Sequence, residues 1–502
     1  MFNFSHLLPR MLAENLPAAL LHVATFLLVS YHCLMQKKEA SASLLWIFSA
    51  WVFPGVGPLL YISFGIDRVP KKSGRKTRAN RQFLAARRAL ETPDLPLAHW
   101  RSVHDSLRAS PTSPAAGEID SSVSALLRES PLLAGNSIDP LETGDEAFPS
   151  MLDAIQNARD HIHIQSFIIN DDPVGRKFLD ALRDRARAGV RVRLLYDRFG
   201  STHASLRGMF RRYEGEPNLT LAGWTQANLL KRQFQINLRN HRKLLIVDGA
   251  AAFMGGINLQ LDHTTHGGIP PIRDYHFAIR GPVVQELQYV FLRDWNFITD
   301  EEPKNLLNRR HFPEIEPRGS LLVRAIPSGP TEDERDFLPQ VFFLCMTLAR
   351  RRISLVTPYF IPTPDILRAL QSAALRGVDV RILTPGRNNH VYAGLAARSR
   401  YEPLLQAGVR IFERAPPFIH AKAMVIDNEV SVIGTANLDV RSLLLNYESD
   451  LLVYSAEFAR AMTGVMDKDF QAGREIILSE WQRRPPRQRF LENFCNLLTP
   501  IV

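Results

Sequence analysis

The chain has 502 residues, 45% of them apolar and 22% charged, with a formal net charge of +10. That length allows several domains, and the polar share excludes a many-span transporter, so any membrane-crossing part is a minority. The positive balance points to an anionic partner, phospholipid headgroups or nucleic acid, while three scattered cysteines (Cys33, Cys345, Cys495) form neither a disulfide framework nor a zinc pattern and fit a reducing compartment.

At the amino end, Leu16 to Met35 and Ser43 to Phe64 are apolar runs of a length that crosses a bilayer. Pro54, Gly55, Gly57 and Pro58 are expected to kink or unwind the second run. Only Gln36 to Ala40 separates the two, so residues 1–66 read as an antiparallel transmembrane hairpin. No small-x-small site follows the first run, which argues against a removed signal peptide. A basic run follows: Arg68, Lys71, Lys72, Arg75, Lys76, Arg78, Arg81, Arg87 and Arg88. It places that side in the cytoplasm, and it suits anionic lipid equally well. Residues 67–130, basic and then Pro/Ser-rich, read as a linker.

Beyond the linker the pattern is α/β and duplicated, with units at 131–312 and 313–502. In the first, PSMLDAIQNARD predicts a helix, HIHIQSFII a strand, PVGRKFLDALRDRARAG a helix and VRVRLLYD a strand. In the second, LPQVFFLCMTLARR, ISLVTPYF, TPDILRALQSAALRG and VDVRILTP repeat that order. Gly189 and Gly377 sit where each second helix should end. Helices alternating with strands imply a sheet covered by helices.

Each unit then carries the same string. The first is His241-Arg242-Lys243, four apolar residues, Asp248, Gly255, Gly256 and Asn258. The second is His420-Ala421-Lys422, four apolar residues, Asp427, Gly434, Thr435 and Asn437. Matched spacing suggests two half-sites of one centre. On a strand, His and the Lys two residues on share a face. Asp248 and Asp427 fall at odd offset and open Asp-Gly and Asp-Asn turns, so spacing alone makes them turn or ion-pair residues.

Two imidazoles, two ammoniums and two amides suit a phosphodiester. Lys243, Lys422, Asn258 and Asn437 would donate to non-bridging oxygens; one His would attack phosphorus while the other protonates the leaving alkoxide. The lysines supply the positive charge, so no metal and no cofactor is expected. A carboxylate on the second ring nitrogen would orient each His; the candidates downstream of each motif are Asp274 for His241 and Glu448 for His420. His161 and His163 read as packed strand residues, and Asp262, His263 and His266 as a loop lacking a third metal ligand. The stretch from Gln482 to Val502 ends in an amphipathic segment suited to a membrane or to the protein's own core.

HRKLLIVD and HAKAMVID, each followed by Gly-(Gly/Thr)-x-Asn, resemble the duplicated HxKxxxxD motifs of the phospholipase D superfamily. With PGVGPLLYISFG, GNSIDPLETGDEAF, GGINL, GPVVQELQYVFLRDW, TPYFIP and GTANLDVRSLLLNYE, the chain resembles the bacterial cardiolipin synthases over nearly its whole length. The resemblance implies two phospholipase D-like repeats and a phosphatidyl transfer between two phosphatidylglycerols, giving cardiolipin and glycerol. It implies a multi-pass protein of the bacterial inner membrane with a cytoplasmic catalytic domain. It also counts His241, Lys243, Asp248, His420, Lys422 and Asp427 as active-site residues, and it matches Glu448 to a family carboxylate. A phospholipase D hydrolase would use the same centre with water. The two apolar runs argue against a nuclease, so nucleic acid is not an expected partner, and intact duplicate motifs argue against a lipid-binding scaffold. Oligomeric state leaves no trace in the sequence.

Overall fold

The computed structural model describes residues 7–36, 40–65, 69–90, 111, 113–224, 238–314 and 316–498. They divide into two compact units, 1–72 and 73–502.

In the first unit, helix Leu7–Gln36 contains one stretch, Leu16–Gln36, long and apolar enough to cross a membrane. Leu20, Leu21, Leu27, Leu28 and Leu34 point outward, as lipid-facing side chains would. Helix Ala40–Val52 returns against it, with the Trp51 ring 5.6 Å from His22 and 4.9 Å from Phe26. The second apolar run is not one continuous helix. It breaks at Pro54-Gly55, where Gly55 has φ +72°, and continues as short helix Val56–Leu60 and a π-turn at Tyr61–Gly65. A side chain at Gly57 would lie 2.1 Å from the Ser49 carbonyl oxygen, so only glycine permits this fold-back.

The second unit is built on a sheet of fifteen strands among the described residues. The first half contributes β1 (Leu132–Leu141), β2 (His161–Ser166), β3 (Arg191–Asp197), β4 (Leu219–Trp224), β5 (Leu244–Val247), β6 (Ala251–Gly255) and β7 (His276–Arg280). The second contributes β8 (Leu321–Ser328) and β9 (Arg352–Val356), then β10 (Phe360–Ile361), β11 (Asp379–Pro385), β12 (Arg410–Arg414), β13 (Ala423–Ile426), β14 (Val430–Gly434), β15 (Leu438–Asp439), β16 (Glu448–Tyr454) and β17 (Gly473–Glu475). The order is β17-β12-β11-β9-β13-β14-β16-β8-β1-β7-β6-β5-β2-β3-β4, with β10 and β15 paired separately. Read outward from the β8–β1 seam, the halves match strand for strand until β17, which is extra. The duplication seen in the motifs is a duplication of topology.

Helices Pro173–Arg187 and Pro364–Leu375 lie at corresponding places, and Gly189 (φ +98°) and Gly377 (φ +88°) end them in the left-handed conformation that glycine tolerates. Two helices lie among the described residues of the segment expected to be a linker. Helix Val69–Leu90 turns part of the basic run inward from Ser73 onward. Lys76 is buried against Asp294 at 2.9 Å, and Arg87 against Glu286 at 2.8 Å. Arg81 and Arg88 take surface partners in Asp333 and Glu129. Helix Pro114–Leu126 starts with Ser113, whose hydroxyl accepts from the Ala116 N–H. Ala116, Ile119, Val123 and Leu127 then enter the same apolar core as Val341, Phe342 and Cys345. Their spacing of three, four and four residues is helical, but the intervening Ser, Gly and Asp residues hide it in the sequence.

The carboxyl-terminal helix Pro486–Leu498 shows both of its expected faces. Glu492 is fully buried and accepts from Arg484 and Gln488. Phe490, Leu491, Phe494 and Leu497 are exposed on the other side.

Candidate active site

The four apolar residues after each Lys form β5 and β13, buried at every position. Each strand turns into the next through two residues of positive φ: Asp248 (+52°) with Gly249 (+62°), and Asp427 (+55°) with Asn428 (+57°). This is the hairpin turn that Asp-Gly and Asp-Asn favour. The histidines and lysines precede these strands instead of lying on them. They sit in extended lead-ins, and each lead-in bridges to the other half of the molecule. The His241 N–H donates to the Tyr447 carbonyl at 2.9 Å, and the His420 N–H donates to the Arg273 carbonyl at 2.7 Å. Asn240 pairs with Tyr447, and Ile419 pairs with Arg273, both parallel.

That cross-bridging decides which carboxylate meets which ring. Tyr447 precedes Glu448 and Arg273 precedes Asp274, so each carboxylate arrives beside the opposite repeat's histidine. His241 Nδ1 is 2.9 Å from both oxygens of Glu448, and His420 Nδ1 is 2.8 Å from Asp274 Oδ2. The pairing expected within each repeat, Asp274 with His241 and Glu448 with His420, is therefore exchanged. Sequence distance favours a partner in the same repeat; the contacts across the seam overrule it.

The two repeats treat their carboxylates differently at corresponding positions. A Cβ at Gly256 would lie 2.0 Å from Asp274, so glycine makes room for that group. In the second motif Thr435 stands there, and its hydroxyl donates to Glu448 at 2.7 Å. Glu448 is fully buried, yet its pKa is lowered: the neighbouring His241, the charge of Lys243 and the hydroxyl together outweigh desolvation. Burial raises Asp274.

Both histidines, with Asn258 and Asn437, line one cavity of about 640 Å³. Burial outweighs the pull of Glu448 and brings His241 down to about 4; burial and Lys422 hold His420 well below its usual value. Both rings are thus neutral near pH 7. A neutral ring that donates through Nδ1–H to a carboxylate presents an Nε2 lone pair. Lys243 donates to the His241 carbonyl at 2.7 Å, and Lys422 lies 2.9 and 3.0 Å from the two ring nitrogens of His420. Burial brings the two ammoniums down to about 7 and 8, respectively.

Asn258 Oδ1 accepts from the Ile168 N–H at 3.2 Å, which leaves its NH2 group for a ligand. Asn437 bonds the Ser442 hydroxyl at 3.2 Å while its Oδ1 is buried without a partner among the described residues. With the amide reversed, Ser442 would donate to Oδ1 and free the NH2 for an incoming oxygen.

Asp248 and Asp427 stand apart from this chemistry, although the family motif counts them with it. Asp248 accepts from the N–H groups of Arg159, Asp160 and His161 at 2.8–3.0 Å. Asp427 does the same for Arg350, Arg351 and Arg352 at 2.7–2.9 Å. Each clips the motif hairpin to the start of the neighbouring strand, β2 or β9, and neither lines the cavity.

His263 and Arg242 contribute without having been given a role from the sequence, while His161 and His163 pack as expected. His263 lines the cavity with its ring 6.3 Å from His420. Arg242, in the middle of the first motif, is fully buried; it pairs with Asp294 and donates to the Glu448 carbonyl at 2.9 Å. His161 and His163 pack with His311 beside Arg193 and Gln288, away from the cavity.

The family model described as "Cardiolipin synthase, PLD-like domain" matches residues 151–295 and 344–470, and "Phospholipase_D-nuclease N-terminal" matches 24–65. Cardiolipin synthase 1 of Bacillus anthracis is 32% identical over 489 residues, 94% of this chain and 92% of that protein. Cardiolipin synthase A of Pseudomonas fluorescens is 34% identical over 493 residues, 96% and 97% of the two chains. The crystal structure of a phosphatidylserine synthase from Haemophilus influenzae superposes with a TM-score of 0.58 at 16% identity, covering 76% of this chain and 99% of that one, a likeness of fold.

Proposed function

Because the chain belongs to the cardiolipin synthases of the phospholipase D superfamily, we propose that its cavity carries phosphatidyl transfer through a phosphohistidine. The enzyme is a phosphatidyltransferase that makes cardiolipin. The observation that carries the mechanism is that one histidine from each repeat lines the same cavity, each with its Nδ1 on a buried carboxylate.

One ring attacks phosphorus of the first phosphatidylglycerol through Nε2, and the bond to the glycerol headgroup breaks. The other ring gives that alkoxide its proton. That ring is neutral on its own and gains the proton when the negative phosphodiester enters between the two rings. It then takes the proton of the second lipid's headgroup hydroxyl, which attacks phosphorus and releases the first ring. Lys243, Lys422, Asn258 and Asn437 hold the non-bridging oxygens as negative charge builds. Glu448 and Asp274 keep the rings in the required tautomer, and Asp248 and Asp427 keep the hairpins in place.

The protein resides in the bacterial inner membrane, crosses it twice and keeps its catalytic part in the cytoplasm. The apolar helix Leu16–Gln36, the bent apolar element after it and the basic residues following support this reading, as does the exposed stripe of the carboxyl-terminal helix. Tethering confines the enzyme and both lipids to one surface and raises their effective concentration.

The test uses purified enzyme with vesicles of phosphatidylglycerol alone. Cardiolipin and free glycerol in equal amounts are expected, and quenched enzyme should carry a phosphatidyl group on a histidine peptide, 241 or 420. Phosphatidic acid as the main product would make it a hydrolase. Full synthase activity in a His241→Ala, His420→Ala double variant would remove the mechanism.

A further inference from the structure

Besides the groups assigned above, the cavity presents two guanidiniums: Arg239 from the first repeat and Arg441 from the second. Arg239 is only 8% exposed, and its guanidinium carbon lies 3.2 Å from the centre of the Phe199 ring. Among the described residues it makes no ion pair. The carboxylate that acts on it is Asp197, whose oxygens are taken by the N–H groups of Phe199, Gly200 and Asn240 at 2.9, 3.1 and 3.0 Å. Arg441 lies within the field of Asp439, whereas Asp197 offsets the charge of Arg239 only in part. Burial and the neighbouring Arg441 bring the Arg239 guanidinium down to about 10. A buried cation facing a second cation costs stability unless an anion joins them.

The reaction brings two phosphodiesters into this cavity, not one. The donor's phosphorus is engaged by the histidines and lysines. The acceptor keeps its own phosphodiester intact, and that charge needs a separate cationic place. We propose that Arg239, with Arg441 beside it, is the subsite for the acceptor lipid's phosphate; this rests on the cardiolipin synthase reading. Planar guanidinium groups suit bidentate recognition of phosphate oxygens. Water and simple alcohols gain nothing from such a subsite, so it biases the phosphatidyl-enzyme toward a phospholipid acceptor.

The experiment keeps the donor fixed and changes the acceptor. Full-length enzyme in phosphatidylglycerol micelles is assayed for cardiolipin and, with butanol added, for phosphatidylbutanol. In Arg239→Gln the ratio of cardiolipin to phosphatidylbutanol should fall about tenfold, the loss of one charge-assisted hydrogen bond to phosphate. Arg239→Lys should lie between, and Arg441→Gln should shift the ratio the same way. The Gln variant should also unfold at a higher temperature than the parent, because a buried unpaired charge is gone. An unchanged ratio, whether both products fall together or neither falls, would overturn the subsite. A parent enzyme that makes phosphatidylbutanol but no cardiolipin would fail the synthase reading itself, and the subsite with it.

Discussion

Each histidine borrows its carboxylate from the other repeat, and this has an energetic signature. Removing one partner of a buried charged hydrogen bond leaves the other unsatisfied, so partners in contact couple in double-mutant cycles by roughly 0.5–3 kcal/mol, whereas separated pairs add. Thermal unfolding of His241→Gln, Glu448→Gln and their combination should show coupling, as should His420→Gln with Asp274→Asn. The pairs His241 with Asp274 and His420 with Glu448 should couple more weakly; coupling confined to those two would contradict the exchanged geometry. Asp248 and Asp427 predict a different signature. Asp248→Asn weakens three backbone hydrogen bonds to a carboxylate, so it should cost about 3 kcal/mol of stability while the folded fraction keeps kcat within a few-fold. A thousandfold loss of kcat at unchanged stability would restore Asp248 to the chemistry. At this scale the sequence revealed residue types and not partners. The turn role of the two Asp residues was legible because Asp-Gly and Asp-Asn constrain local φ. The pairing of Glu448 was not, because it depends on a bridge between Asn240 and Tyr447, some two hundred residues apart.

Elements with strong periodicity were legible to within a few residues: helices Pro173–Arg187 and Pro364–Leu375, and strands β2, β3, β9 and β11. Their apolar spacing, proline starts and glycine ends all agree locally. Two other elements carry conflicting signals. The second apolar run has the composition of a span, but its Pro and Gly residues permit a fold-back. Helix Pro114–Leu126 has the composition of a linker and buries three apolar side chains, with Leu127 just beyond it. Ile119→Ala decides between linker and core. If the segment contributes to the core, the change costs about 2–4 kcal/mol through lost burial and the cavity left behind; a shift in thermal midpoint indistinguishable from zero would return it to a linker. The basic helix Val69–Leu90 shows why charge runs mislead: Lys76 reaches Asp294, which Arg242 also holds, so a charge suited to lipid supports the back of the first motif.

Across the whole molecule, the buried cations set activity and stability against each other. Burial, only partly offset by nearby carboxylates, lowers Lys243 to about 7, Lys422 to about 8 and Lys76 to about 8, against 10.5 for free lysine. Phosphate binding needs the first two charged. In the free enzyme they lose protons as pH rises through about 7 to 8, so kcat/KM should fall over that interval. A bound phosphodiester holds the protons on, so kcat should persist to higher pH. Stability moves the other way. Between the folded and unfolded pKa values the unfolded chain binds more protons than the folded one, and stability rises with pH wherever that holds. These lysines therefore make the fold more stable from about pH 7 toward 10.5. The histidines extend the trend below neutrality: burial lowers His241, His263, His276 and His311 to between about 3 and 4. The stability they contribute is complete above 6.5 and is lost as pH falls through their folded values. Parallel measurements of the thermal midpoint and kcat/KM in detergent, from about pH 6 to pH 9, should show the two diverging above 7. If both decline together over that range, the ammoniums are not desolvated as their burial requires, and the proposed hold on the phosphate oxygens loses its physical basis.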